Sequence, residues 1–397
     1  GTGVVSRLAK AMGFKVVSND WEEYSRIINS LYIETDEQEI EQLFDGKFPQ
    51  IFHELNSLTQ PKEEYIAKYY CPADDSSPDL DNERMFFTRE NGLKIDAIRE
   101  RIEELYPEPK TRKEKKAKDI LIALLLYEVA TRANTSGVFK GFHRGFGGNG
   151  QDALGRILKK LRLPKPQLVN SPHKNRVYRM DAGKLVQKMK KIEFDIAYLD
   201  PPYNQHQYGS NYHLLTTVAK NDKPEVDKRI YINGKKTDKS AIRKDWVKTR
   251  SPYCYRNEAT REFSMLMDNI RAKKILVSYS IDGIIPFDTM LDILSKKGKL
   301  DIVCSEYVKY RGGKQALTTQ VRNVEFVLIV DTEKESLKSD IKKVREKLLE
   351  EKVENTLKKT FCIDMAVGLG WKVEPGKFFN RMKKDFGGIE ADICLKN

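Results

Sequence analysis

Apolar side chains recur at helical spacing from residue 4 to 13 and stop at Gly13, which predicts a short amphipathic helix. The next run, Lys15 to Asp20, reads as a buried strand ending in an acid. From about 33 to 175 this alternation lapses. An acidic and aromatic stretch leads through the turn-rich residues Cys71 to Pro78 to a basic run, Lys110 to Lys118, and then to residues 117–133, which are apolar almost all round and predict a buried helix. From 176 strands and helices alternate again. Arg176 to Met180 and Phe194 to Leu199 are predicted strands, with a Lys-rich helix over 183–191 between them. A helix over 257–272 precedes the strand Ile275 to Ser280; a helix over 286–296, a strand over 301–309, a turn at Gly312-Gly313 and the strand Val324 to Val330 follow. A charged helix is predicted from 333 to about 360, and Phe361 to Asn397 patterns as a small α/β piece. The pattern predicts an α/β fold with a doubly wound, mostly parallel sheet, closed at its edge by one antiparallel hairpin and interrupted by a largely helical insertion.

Composition narrows the class. The 397 residues carry 71 Lys and Arg against 58 Asp and Glu, a net charge of +13, with 40% apolar residues. A disordered or fibrous chain is excluded, and the excess of cations points to a polyanionic partner. The longest strongly apolar stretch, Ile120 to Ala130, contains Glu128 and falls well short of the roughly 20 residues of a bilayer span, so no membrane partner is expected. Five scattered cysteines without a CxxC pair suggest neither a disulfide framework nor a zinc site, and fit a reducing cytoplasm. Gly1 to Val5 have no signal-peptide pattern and lack an initiator Met, and the chain reads as a window on a longer protein.

The sharpest chemical feature is Asp200-Pro201-Pro202-Tyr203, directly after the apolar strand ending at Leu199. Two prolines cannot extend a central strand, so the chain must turn out at the carboxyl edge of the sheet, where open α/β sheets bind ligands. A carboxylate, a carbonyl with no neighbouring amide competing for it and an aromatic ring then share one rigid loop. That set suits a flat, amine-bearing base: Asp200 and the Pro201 carbonyl accept hydrogen bonds from the exocyclic NH2 while Tyr203 stacks on the ring. A plain strand-ending turn is the alternative.

These four residues resemble the catalytic motif of the N6-adenine amino-methyltransferases, which use S-adenosylmethionine. Gly1-Thr2-Gly3 resembles the end of that family's glycine-rich cofactor loop, F-x-G-x-G, whose first strand and Phe would precede Gly1. Asp20 stands where the family's second motif puts an acid on the ribose hydroxyls, and Asp181, with Ala182, matches the third motif near the cofactor's adenine. The resemblance covers roughly residues 1 to 32 and 176 to 330 and includes Ser278-Tyr279-Ser280. Asn91 to Asp96 with Ala133 to Phe139 also looks like the helical insertion of the Dam-like D12 branch. It implies a Rossmann-like methyltransferase fold and methyl transfer to N6 of a flipped adenine in double-stranded DNA, within a restriction-modification system and beside a cognate endonuclease. With part of the cofactor loop outside this chain, weak cofactor binding is expected. An RNA adenine methyltransferase and a non-catalytic DNA-binding or specificity protein stay open as rivals. The absence of a Pro-Cys dipeptide gives no support to the covalent route of cytosine methylation.

Candidate DNA contacts are Lys140, His143 and Arg144, in a segment interleaving cations, aromatics and glycines, and Lys235, Lys236, Arg243, Lys244, Lys248 and Arg250 in the run after the catalytic loop. His206 and His213, just beyond that loop, are also placed within reach of DNA. The glycines from 145 to 150 follow no strand and are not read as a dinucleotide loop. The expected division is a discontinuous catalytic domain, 1–32 and 176–332; a helical insertion for DNA recognition, 33–175; and a C-terminal helix with a small α/β extension, 333–397. In that extension Leu369 to Val373 and Gly387 to Leu395 resemble the opening of a PD-(D/E)xK nuclease domain, with a small appendage as the alternative.

Overall fold

The computed structural model describes residues 1–148, 150–151, 153–308, 322–357, 372–374, 379–385 and 390–396. In chain order the amino-terminal part runs α1 (Val4–Ala11), β1 (Val17–Asp20), α2 (Glu23–Glu34), α3 (Glu37–Leu43), α4 (Phe48–Ser57), α5 (Ile66–Tyr70), α6 (Arg89–Leu105), α7 (Arg112–Arg132) and α8 (Leu154–Leu158). Then come β2 (Arg176–Arg179), α9 (Ala182–Lys188), β3 (Phe194–Leu199), α10 (Tyr208–Asn211), α11 (His213–Lys220), β4 (Tyr231–Ile232) and β5 (Lys235–Lys236). The remainder is α12 (Ala259–Asn269), β6 (Ala272–Ser280), α13 (Phe287–Ser295), β7 (Lys299–Val308), β8 (Arg322–Asp331), α14 (Lys338–Leu357), β9 (Lys372–Glu374), β10 (Phe379–Asp385) and β11 (Glu390–Lys396). The predicted turn at Gly312-Gly313 lies outside the described residues, as do Leu369 to Trp371 and Gly387 to Ile389 of the nuclease-like stretch.

The chain forms two compact units, Gly1–Leu185 with His206–Ser251, and Val186–Gln205 with Pro252–Asn397. The first is built around α7. Its helix starts with a reciprocal cap, the Thr111 hydroxyl accepting from the Glu114 amide while the Glu114 carboxylate accepts from the Thr111 amide. From Ala117 onward apolar residues face every direction, and Ile120, Leu121, Leu124, Leu125 and Leu126 are all buried. They share one core with Tyr24, Ile27 and Leu31 of α2, Ile95 and Ile98 of α6, and Leu214 and Val218 of α11. Helices from the segment expected as an insertion therefore pack directly on α2. Two ion pairs enter this interior, since buried charges need partners: Arg26 grips Asp119 through two hydrogen bonds of 2.7 and 3.0 Å, and Arg132 holds Glu128 at 2.8 Å.

In this unit β1 and β2 run parallel, Val17 opposite Arg176 and Asp20 opposite Arg179. Asn175 and Asn19 lock the pair at its two ends. The Asn175 side-chain Oδ1 accepts from the Val16 amide at 2.8 Å; the Asn19 side chain donates to the Met180 carbonyl at 3.0 Å and accepts from the Met180 amide at 3.2 Å.

The second unit holds a four-stranded sheet in the order β3-β6-β8-β7. β3 and β6 are parallel, whereas β8 runs antiparallel to both β6 and β7. Within this sheet β3, β6 and β7 thus point the same way and β8 opposes them, so the sheet is mostly parallel, as the sequence predicts. Strand alternation predicts the direction of each strand but not which strands are neighbours. β3 stands at the edge of this sheet, and its Ile196 and Tyr198 are 46% and 37% exposed. β9, β10 and β11 form a small antiparallel sheet in the order β11-β10-β9. No helix among the described residues is long and apolar enough to cross a membrane.

Candidate active site

In the first unit Gly3 precedes α1 with a left-handed φ of 69°, a conformation that favours glycine. The loop rests on α2. The Ser25 hydroxyl donates to the Gly1 carbonyl at 2.7 Å, and the Asn29 amide donates to the same carbonyl at 3.2 Å and to the Ser25 carbonyl at 2.9 Å. Asn29 is buried, and its Oδ1 has no hydrogen-bond partner although it reaches the space a side chain at Gly3 would fill. Asp20 closes the corner: one carboxylate oxygen accepts from the Glu22 amide at 2.9 Å and the other pairs with the Gly1 amine. Because β1 and β2 are parallel, Asp181 and Ala182 follow β2 at the same end, where the Asp181 carboxylate caps α9 by accepting from the Lys184 amide at 3.0 Å. All six residues expected at the cofactor thus belong to one unit. Thr2 and Gly1 are exposed, and Gly3, Asp20, Asp181 and Ala182 are half-buried. A glycine loop with no Cβ to obstruct it, an orphaned buried oxygen and a carboxylate at a strand end fit an adenosine-bearing cofactor.

Sequence reasoning missed Ser25, Asn29 and Glu22. The first two are polar residues one helical turn apart on the buried face of α2, a signal visible in the pattern. Glu22 is 5% exposed, accepts a hydrogen bond from Thr249, and has its carboxyl raised above the usual range chiefly by burial.

In the second unit β3 delivers Asp200 to the carboxyl end of the sheet, exposed, followed by half-buried Pro201, Pro202 and Tyr203. The parallel register, Leu199 opposite Val277, brings Ser278-Tyr279-Ser280 of β6 beside them. Tyr203 is held by its backbone, its carbonyl accepting from the Ile284 amide at 2.9 Å, and by its ring, which meets Tyr279 edge-on with centroids 6.1 Å apart. Tyr198 is hydrogen-bonded to Ser278, and its phenol is raised by burial and by the nearby carboxylates of Asp200 and Glu325.

The basic candidates fall in the first unit and divide sharply. Lys235, Lys236, Lys244, Lys248 and Arg250 are exposed, as are Lys140 and Arg144, the latter paired with Asp81; His143 is half-buried. The two basic segments meet: the Ser240 hydroxyl donates to the Lys140 carbonyl at 2.6 Å, and the Lys239 ammonium lies 5.1 Å from the centre of the Phe142 ring. Buried Arg84, which sequence reasoning passed over, binds the carbonyls of Asp227, Asp238 and Lys239 and so shapes the loop carrying these cations.

Arg243 departs from the expected role at DNA. It is 3% exposed and clamped between Asp222 and Asp245, with bonds of 2.5 to 3.1 Å. Its charge is neutralised inside the protein, and it holds the Asp245 carboxyl well below the usual range. His213 is likewise corrected. It is fully buried, with Nε2–H donating to the Phe139 carbonyl at 2.9 Å, and burial pushes its imidazole down to about 4. This carries a pH signature. A neutral buried His stabilises the fold fully above its ordinary value near 6.5, and that contribution is lost as pH falls from there through 4, because the unfolded chain binds the proton first. The loss amounts to about 3 kcal/mol. Urea unfolding of His213→Gln, compared with the unsubstituted chain from pH 7 to 4, is expected to lack this component; parallel curves would show that His213 does not titrate on unfolding.

The glycine loop and strand-end acids of the first unit are features that the sequence shares with methyltransferases of amino groups, and so, within the second unit, is the carboxylate–proline–tyrosine loop at the end of β3. The chain belongs to the D12 class N6 adenine-specific DNA methyltransferases, a family that uses S-adenosylmethionine, and the match covers residues 1–282. It is 31% identical over 315 residues to the Type II methyltransferase M.NlaIII of Neisseria lactamica, covering 79% of this chain and 83% of that protein. It is 29% identical over 338 residues to modification methylase LlaI of Lactococcus lactis subsp. lactis, and 31% over 298 residues to the Type II methyltransferase M.FokI of Planomicrobium okeanokoites. These matches cover 83% and 75% of this chain, but only 49% and 42% of the relatives' own lengths. No solved structure matches the chain.

Proposed function

We propose that this protein methylates N6 of an adenine flipped out of double-stranded DNA, as the modification enzyme of a Type II restriction-modification system, in the cytoplasm and alongside a cognate endonuclease. The observation that carries the reading is the loop Asp200–Tyr203 at the carboxyl end of β3, with Tyr203 fixed by Ile284 and Tyr279. The fold is read as a doubly wound methyltransferase fold with β7 and β8 as its closing hairpin, and residues 33–175 as the DNA-recognition region.

Gly1, Thr2 and Gly3 would hold the cofactor's methionine part, Asp20 its ribose, and Asp181 with Ala182 its adenine. When bound, S-adenosylmethionine supplies a methyl group already activated on sulfonium sulfur, so positioning dominates the barrier. The N6 lone pair is delocalised into the adenine ring. Asp200 and the Pro201 carbonyl, accepting its hydrogens, draw the amine out of that conjugation, and Pro202 keeps the Pro201 carbonyl clear of a competing amide. Tyr203 replaces the stacking lost on flipping, which costs roughly a few kcal/mol. Lys140, His143, Arg144, Lys235, Lys236, Lys244, Lys248 and Arg250 supply the cationic surface for phosphates.

The test is transfer of labelled methyl from S-adenosylmethionine to DNA lacking adenine methylation and to a structured RNA, with digestion to nucleosides. N6-methyladenine in the duplex is expected; label confined to RNA would overturn the proposal. Lys235→Ala and Lys248→Ala should each reduce the slope of log affinity against log salt by about 1, and an unchanged slope would remove them from the DNA surface.

A further inference from the structure

β8 brings a second carboxylate to the catalytic loop. Glu325 lies directly opposite Ser280 of β6, just beyond Tyr279, and opposite Ser305 of β7. It accepts a hydrogen bond from the Tyr203 hydroxyl and lies close enough to Asp200 to feel its charge. Burial and that like charge raise its carboxyl above the usual range, and the Tyr203 hydroxyl works against this. Keeping a half-buried carboxylate beside another is unfavourable unless a donor compensates it.

The other fixings of Tyr203 come from different elements. Its backbone is held by Ile284 in the turn after β6, and its ring by Tyr279 on β6. Tyr279 is itself fixed, its hydroxyl accepting from the Ile285 amide at 3.1 Å. A Cβ at Gly283 would lie 2.0 Å from the Tyr279 ring, so only glycine lets that ring stand where it does. A tyrosine that had merely to fill space would not need its backbone, ring and hydroxyl each held by a separate group. A ring on which a flipped base must stack, with its amine aimed at Asp200, does need a defined plane.

We propose that Glu325 is a positioning residue for the methyl transfer, its carboxylate fixing the plane of Tyr203 through the tyrosine hydroxyl. This rests on the reading of Asp200–Tyr203 as the catalytic loop. The bond is charge-assisted, and its loss is expected to slow transfer rather than weaken binding, because Tyr203 stays present but no longer aligned.

The experiment measures single-turnover transfer of labelled methyl at saturating DNA and cofactor, with duplex and S-adenosylmethionine affinities measured separately. Glu325→Ala is expected to lower the rate constant roughly tenfold to a hundredfold, the scale of one hydrogen bond to a charged group, with both affinities within about threefold of the starting values. Glu325→Gln, which keeps an acceptor for the hydroxyl, should recover most of the rate. Tyr203→Phe should resemble Glu325→Ala, and the double variant should be no slower than either single one. Three results would overturn the inference: an unchanged rate in Glu325→Ala, a Gln variant as slow as the Ala variant, or single losses that multiply in the double variant. Since Glu325→Gln and Tyr203→Phe are near-isosteric, a folding defect in the Ala variant leaves the comparison decisive. Failure of the underlying reading gives a different result, full activity in Asp200→Ala.

Discussion

Asp200→Ala is expected to reduce methyl transfer by roughly 10²- to 10³-fold or more, the scale seen when one preorganised charge-stabilising group is removed, while duplex and S-adenosylmethionine affinities stay close to their starting values. The physical case rests on position. Asp200 is exposed at the end of β3, and thermal unfolding of the variant, measured alongside, separates a rate loss from a folding defect. Its carboxylate is the loop's only charged acceptor for the adenine amine, and a neutral carbonyl alone localises the lone pair less well. Asp200→Asn separates two roles. An amide keeps one acceptor and loses the charge, so partial activity would assign Asp200 to orienting the amine, and activity as low as that of alanine would assign it to stabilising the developing positive charge. Retained transfer in Asp200→Ala would overturn the catalytic reading altogether.

The second large effect is expected at the cofactor loop. Gly3→Ala must adopt a φ of 69°, which costs a residue with a Cβ about 1–2 kcal/mol, and its Cβ would fall 1.7 Å from Asn29 Oδ1. No atom pair tolerates that approach, so either α1 or the Asn29 side chain must move, and with it the hydrogen bond from Asn29 to the Gly1 carbonyl. Strain and displacement together are expected to weaken S-adenosylmethionine binding at least about tenfold by calorimetry, with the thermal unfolding midpoint lowered by roughly a few degrees. Adding Asn29→Ala removes the clash but not the strain, so the double variant should recover part of the loss. Equal affinities for Gly3→Ala and the unsubstituted chain would mean that this loop does not hold the cofactor. DNA binding, proposed for cations elsewhere in the first unit, should be unaffected.

How far the sequence could be read depended on the range of the interactions concerned. Helices α1, α7 and α13 and strands β1, β3 and β6 were legible because their periodicity and stops are local, such as Gly13 after α1 and Pro201-Pro202 after β3, whereas the Thr111–Glu114 cap that starts α7 before residue 117 was read as part of a basic run. The candidate chemical loops were legible for the same reason, since each is a contiguous run at a strand end. Arg243 and His213 were misplaced because nothing local distinguishes a solvated cation from one clamped by Asp222 and Asp245, or an exposed histidine from one facing the Phe139 carbonyl, 74 residues away. Glu325 was invisible as a partner of Tyr203 because 122 positions separate them, and only the pairing of β6 with β8 brings them together.

By itself, the sequence determined the α/β class, the acid–Pro–Pro–Tyr loop at a strand end, the glycine loop and the excess of positive charge, each a property of neighbouring residues or of composition. Only the tertiary structure decided which cations face solvent, that α2 supports the glycine loop through Ser25 and Asn29, and that β8 supplies a carboxylate to Tyr203. The reason is physical. Burial and strand pairing are set by contacts between distant segments, and a side chain's charge state and hydrogen-bond partners follow from those contacts rather than from its neighbours in the chain.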